Sequence, residues 1–264
     1  MKSSFPCPFL ILTLLSVSSF VFAGTFIINA GGGGEPSTDG TNQFLSPLLN
    51  VETLGAKKGT VFSLFNSDTW PKDQFSKPEN IKPFNEENLL STIDTVKQQM
   101  KESEGKKQVM IHINAHGTPS DSTQTHRWST DDNQYIDPNG NFLIKVQELL
   151  IQGANVALID DSCFSGSSLL IFKELIKQYP DQLCVITGAS QFGFGYTGGM
   201  VNRVVHNFLS SDREQNLESI FWKTYINPEN AGIYKGITQT SSIDFENFLH
   251  PLEYLDFPTP SCQS

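Results

Sequence analysis

The sequence predicts an α/β protein built on a mainly parallel, twisted sheet with helices on both faces, and three observations carry that expectation. Short, continuous apolar runs recur along the chain, amphipathic stretches with helical spacing separate them, and glycine or polar turns mark many of the junctions. Runs that are apolar throughout belong to strands covered on both sides, and their alternation with helices calls for parallel crossovers.

Taken in order, Thr25–Asn29 is the first strand, ended by the run Gly31–Gly34, and Thr60–Phe65 is the second. Asn85–Glu102 reads as a helix, because Leu89, Ile93, Val96 and Met100 fall on one face. Gln108–Ile113 is the third strand, and the turn Pro138-Asn139-Gly140 opens a helix over Asn141–Ile151. Asn155–Ile159 is the fourth strand, Ser167–Tyr179 the next helix and Leu183–Thr187 the fifth strand, with helices near 198–210 and 215–226. Thr118–Gly140 is a long polar stretch, the kind of loop that is usually functional or mobile. From about Asn227 no pattern is legible, and there is no internal repeat.

A chain of 264 residues suits one such domain. The net charge of −10 argues against nucleic acid as a partner, since phosphate binding needs a basic face, and it favours cationic substrates instead. Residues 1–23 read as a signal peptide: Lys2 precedes the apolar run Phe9–Phe22, and Val21-Phe22-Ala23 sets cleavage before Gly24. That run is too short to span a bilayer, so no stable membrane insertion is expected. The expected product is a domain over 24–264, exported to the periplasm or the medium, and the lack of any Asn-x-Ser/Thr sequon favours a bacterial source. Beyond the signal peptide three cysteines remain, Cys163, Cys184 and Cys262. An odd count leaves at least one thiol free. Cys184, in an apolar strand, reads as a core residue, and no CxxC or HxxxH pair offers a metal site.

Two strand ends carry chemistry. The third strand runs out through Asn114-Ala115-His116-Gly117, and the fourth through Asp160-Asp161-Ser162-Cys163-Phe164-Ser165-Gly166, just before a helix. Parallel strands put both C-terminal ends on the ligand-binding edge of the sheet, so neighbouring strands would give an imidazole and a thiol one shared cleft. A helix starting behind Cys163 also favours negative charge on sulfur.

These two segments together resemble the caspase-like clan of cysteine peptidases, the second being most similar to metacaspases and their bacterial relatives, with legumain and clostripain more distant. The resemblance covers roughly Thr25–Ala189 and implies a caspase-like three-layer sandwich. It further implies His116 as general acid/base, Cys163 as nucleophile and the N–H groups of Gly117 and Cys163 as the oxyanion hole. Asp161, two residues before the nucleophile, would line the primary specificity pocket and select Arg or Lys; on its own chemistry it could equally cap a helix or pair internally. The partner implied is a protein or peptide substrate, and the sequence leaves oligomeric state open.

The chain also departs from the metacaspase pattern. Ser190–Tyr196 is a glycine–aromatic loop where an acidic stretch is usual, and Glu35 and Asp39 are only loose candidates for a second pocket acid. No cofactor is expected. Calcium, common in metacaspases, would have to use Asp131, Asp132 and Asp137, whose spacing is not that of a calcium-binding loop. Gly31–Gly34 lacks the third glycine of a dinucleotide fingerprint, and no Gly-x-Ser-x-Gly elbow surrounds Ser165 or Ser167. His112 reads as structural, and His126, His206 and His250 have no partner at an informative spacing. The competing reading is a catalytically silent caspase-like binding or effector protein.

Overall fold

The computed structural model describes residues 24–32, 40–65, 81–120, 125–189, 191, 200–211, 217, 220 and 223–224. Residues 1–23, read above as a signal peptide, with Glu35, Asp39, Ser190, Phe192–Tyr196 and everything from 225 onward, lie outside them.

Five parallel strands form the central sheet: β1 (Thr25–Gly32), β2 (Thr60–Leu64), β3 (Gln108–Ala115), β6 (Asn155–Asp160) and β7 (Leu183–Thr187), in the order β2-β1-β3-β6-β7. The order steps outward from β1 to β2 and then reverses, placing β3, β6 and β7 on the other side of β1. That reversal puts a crevice at the C-terminal ends of β1 and β3. The helices change face with it, as right-handed crossovers require. On one side, α2 (Glu86–Glu102), α3 (Leu143–Ile151) and α4 (Gly166–Gln178) close the larger apolar core with Ile28, Ile111, Leu158 and Val185. On the other, α1 (Gly40–Gly55) and α5 (Met200–Ser210) lie together over Ile27, Met110, Ile159 and Ile186. The α/β class, the mainly parallel sheet and the two helical layers are those the sequence predicts.

Local chemistry explains the best-formed elements. Asn85 caps α2 by accepting from the Asn88 N–H at 2.9 Å, and Glu86 and Glu87 sit in the first turn, where the helix dipole favours acids. Leu89, Ile93, Val96 and Met100 are buried along its inner face. On the outer side, Lys97 and Lys145 tie α2 to α3 through Asp94 and Glu148, an exposed network of modest worth.

Two expectations need correction, and one helix was not legible. β1 does not stop at the glycine run: Gly31 and Gly32 continue the ladder opposite Asn114 and Ala115 of β3. A helix, α1, follows the glycines where none is legible, because its Gly40 start, internal Pro47 and lack of first-turn acids hide it. The polar stretch after β3 is no simple loop. It doubles back as an antiparallel arm, β4 (Trp128–Ser129) on β5 (Tyr135–Ile136), and a π-type turn over Pro138–Phe142 leads into α3.

Candidate active site

β3 and β6 are adjacent, in register from Gln108↔Asn155 to Ile113↔Asp160, so both chemical segments leave the sheet side by side. The segment after β3 is held on the arm. Ser129 N–H donates to the His116 carbonyl at 2.9 Å and Thr118 N–H to the Arg127 carbonyl at 2.9 Å. Gly117 therefore faces Trp128 in a non-hydrogen-bonded antiparallel pair, which turns its own N–H away from the arm. The His116 side chain is exposed, yet partial loss of water around the ring pushes its pKa below the ordinary imidazole value.

The segment after β6 begins with the Asp161 N–H donating to the Ile113 carbonyl at 2.7 Å, then turns sharply. Phe164 takes a left-handed φ of 59°, an uncommon conformation for an aromatic residue, and α4 starts two residues later. Cys163, at that turn, is half-buried and is the free cysteine among the described residues. Cys184 is buried in the core as its strand predicts, and it is disulfide-bonded.

The two segments touch. A Cβ at position 117 would lie 2.0 Å from the Cys163 carbonyl oxygen and 2.8 Å from Cε1 of His126. Only glycine permits that approach. Gly117 and Cys163 are thus packed backbone to backbone at the C-terminal edge of the sheet, so the segment that carries His116 and the turn that carries Cys163 lie side by side.

Asp161 lies on the α1/α5 face and is buried. Asn202 of α5 donates to its Oδ2 at 3.0 Å, and its Oδ1 lies where a side chain at Gly188 would stand, 2.2 Å from a Cβ there. Burial, reinforced by the neighbouring charge of Asp160, raises its pKa to about 7. The buried Asn114, two residues before His116, lies on the same face by register, and neither polar atom of its amide has a hydrogen-bond partner among the described residues. His112 is buried deeper on that face, with Nδ1 3.0 Å from Asn29 Oδ1. Burial pushes its pKa down to about 4, so it is a neutral structural residue.

The opposite face holds residues that sequence reasoning passed over. Asp160 is wholly buried yet charged: Oδ1 accepts from Ser162 Oγ at 2.6 Å and Ser162 N–H at 3.2 Å. Oδ2 accepts from Ser168 Oγ at 2.6 Å and Trp128 Nε1 at 3.0 Å, and faces His126 Nε2 at 3.3 Å. Burial pushes Asp160 up, but these bonds and the His126 charge outweigh it and hold the carboxyl below its usual value. His126 Nδ1 also faces an acceptor, the Thr118 carbonyl at 2.7 Å, so each ring nitrogen has an acceptor when the ring is protonated. Burial opposes that charge, but the Asp160 bond and charge prevail and raise the pKa of His126. No spacing in the sequence pairs His126; the fold supplies the partner, because the arm returns it to β6. Two adjacent acids ending an apolar strand were the available signal, since a buried charge demands donors.

The three acids weighed for calcium are engaged separately. Asp131 accepts from the Phe84 N–H at 2.7 Å, Asp132 from Thr130 Oγ1 at 2.5 Å, and Asp137 from Thr125 Oγ1 at 2.9 Å. No group of three or more metal-ligating side chains occurs among the described residues, and no helix among them is long and apolar enough to cross a membrane.

No protein-family model matches this chain, and no curated protein does. Among solved structures it is similar to the crystal structure of the Drosophila initiator caspase Dronc, with a TM-score of 0.46 and 10% identity over 77% of this chain and 72% of that one.

Proposed function

We propose that the protein is an exported cysteine endopeptidase in which Cys163 is the nucleophile and His116 the general acid/base. The observation that carries the reading is the contact of Gly117 with the Cys163 carbonyl, which fixes the histidine segment against the thiol turn. In this reaction the Cys163 sulfur attacks the scissile carbonyl carbon and its proton passes to His116. The N–H groups of Gly117 and Cys163 receive the negative carbonyl oxygen. Collapse breaks the C–N bond as His116 gives its proton to the leaving amine, forming a thioester. Water, deprotonated by His116, then attacks the thioester and releases the acid and the thiol.

The primary specificity residue is Asp161, whose carboxylate would pair with an Arg or Lys side chain of the substrate. Its burial and its amide partner, Asn202, support that role, because a carboxyl held at a raised pKa is poised to gain a cation. Export is supported by the N-terminal pattern and by the disulfide at Cys184, which belongs to an oxidising compartment.

Fluorogenic peptides differing only in the residue before the cut test the reading. Arg and Lys peptides should be turned over with a specificity constant roughly a hundredfold or more above Asp or Ala peptides. A preference for Asp or Asn would overturn the pocket assignment, and no turnover of any peptide would leave the silent binding protein in its place.

A further inference from the structure

We infer that Asp160 and His126 form a buried latch that positions the two halves of the proposed catalytic pair against each other, so that both are positioning residues. The inference rests on the peptidase reading for its kinetic consequence but not for its geometry.

The carboxylate of Asp160 gathers donors from two separate parts of the chain. Ser162 Oγ, Ser162 N–H and Ser168 Oγ belong to the thiol turn and the first turn of α4. His126 and Trp128 belong to the arm. That same arm pairs by backbone with His116 and Thr118, and the His126 ring lies against Gly117, 2.8 Å from where a Cβ there would stand. His126 Nδ1 reaches back to the Thr118 carbonyl, and its Nε2 also stands 3.3 Å from Ser162 Oγ. One carboxylate therefore joins the backbone that carries His116 to the turn that carries Cys163. The aromatic row behind it, Trp128 to Phe142 at 5.0 Å and Phe142 to Phe172 at 6.0 Å, ties the arm to α4 as well.

The charged state of the latch is bounded on both sides. His126 is raised, so its contribution is complete below about 6.5 and is lost as pH rises through its folded value. Asp160 is lowered, so its contribution is present above about 3.8 and is lost as pH falls through its folded value. The other titratable groups that act on the pair are Asp137, which adds to the charge on His126, and His112 and Asp161, which interact with Asp160. Asp137 strengthens the pair. Asp161 is neutral over the acidic part of this window, which spares Asp160 a like charge until about pH 7.

The test uses the full mature chain and three variants, His126→Gln, Asp160→Asn and Trp128→Phe. His126→Gln keeps a donor toward Asp160 but no charge; it should lower kcat roughly tenfold to a hundredfold, with KM within about threefold. It should also remove the alkaline limb that His126 gives the pH profile. Trp128→Phe, which removes one neutral donor, should lower kcat less and leave the pH profile in place. Asp160→Asn should bring the titration of the His126 ring, followed by nuclear magnetic resonance, down below the ordinary imidazole value. Should Asp160→Asn not fold, the wild-type His126 titration above about 6.5 is the same readout. A His126→Gln enzyme with wild-type kcat and pH profile, or a His126 ring that titrates below 6.5 in the wild type, would overturn the latch. If instead the wild type cleaves no peptide, the peptidase reading fails while the ring titration still decides the latch.

Discussion

Cys163→Ala should abolish peptide cleavage, and His116→Ala should lower the specificity constant by about a thousandfold or more, while both variants should melt within a few degrees of the wild type. Removing the sulfur removes the atom that forms the acyl bond, so nothing the pocket or the oxyanion donors provide can replace it. Removing the imidazole leaves the thiol without a partner to take and return a proton, and such losses run to several powers of ten. Folding should be spared, because His116 is exposed and Cys163 only half-buried. Residues that act as a unit do not add, so the double variant should be no worse than Cys163→Ala alone. Steady-state kinetics beside thermal melts check this. Cleavage by Cys163→Ala at a tenth of the wild-type rate would remove the thiol from the mechanism.

Asp161→Asn should stabilise the protein at pH 8 and cripple it on basic substrates. The carboxyl has a folded pKa of about 7 against an ordinary value of 3.8. An acid raised in this way contributes its full stability while protonated, below its unfolded value, and that contribution is lost as pH rises through 7. At pH 8 the buried charge thus costs on the order of 2–4 kcal/mol relative to a neutral residue of the same shape. Asparagine can still accept from the Asn202 amide. The expected gain is a rise of ~5 °C or more in Tm at pH 8, shrinking towards nothing near pH 4. The same change removes the partner of the substrate cation, which should cut the specificity constant for Arg peptides by about a hundredfold and for neutral peptides far less. A residue kept against stability in this way is what the proposed pocket role would require. Destabilisation at pH 8, or equal losses on basic and neutral peptides, would mean that Asp161 supports the turn and not the pocket.

Most of the sheet was legible because its strands are apolar on both faces: Leu183–Thr187 is read and found with the same ends, and Asn155–Asp160 differs by one residue. α2 was legible for a different reason, since a cap, first-turn acids and one apolar face agree. α1 was not, because Leu48, Leu49 and Val51 bury a face that Gly40 and Pro47 disguise. The position of the candidate pair followed from two strand ends and their adjacency, both of which the order of the elements implies. The support beneath it did not. His126 and Asp160 meet only because a polar stretch folds back on the segment after β3, and no local periodicity encodes that return. Nor does spacing say that Asp161 faces Asn202 of a helix beyond β7 while Asp160, its neighbour, faces the other layer. Alternation along a strand separates adjacent acids onto opposite faces, but only the fold supplies what each then meets.

Covalent labelling with a peptidyl-Arg acyloxymethyl ketone tests the central claim most directly, because the reagent needs both the pocket and an activated thiol. The account predicts one adduct per chain, mapped by mass spectrometry to Cys163, lost in Cys163→Ala, strongly slowed in His116→Ala, and formed far more slowly by the peptidyl-Asp analogue. An adduct on another residue, or no adduct on a folded chain whose Cys163 still reacts with iodoacetamide, would contradict it.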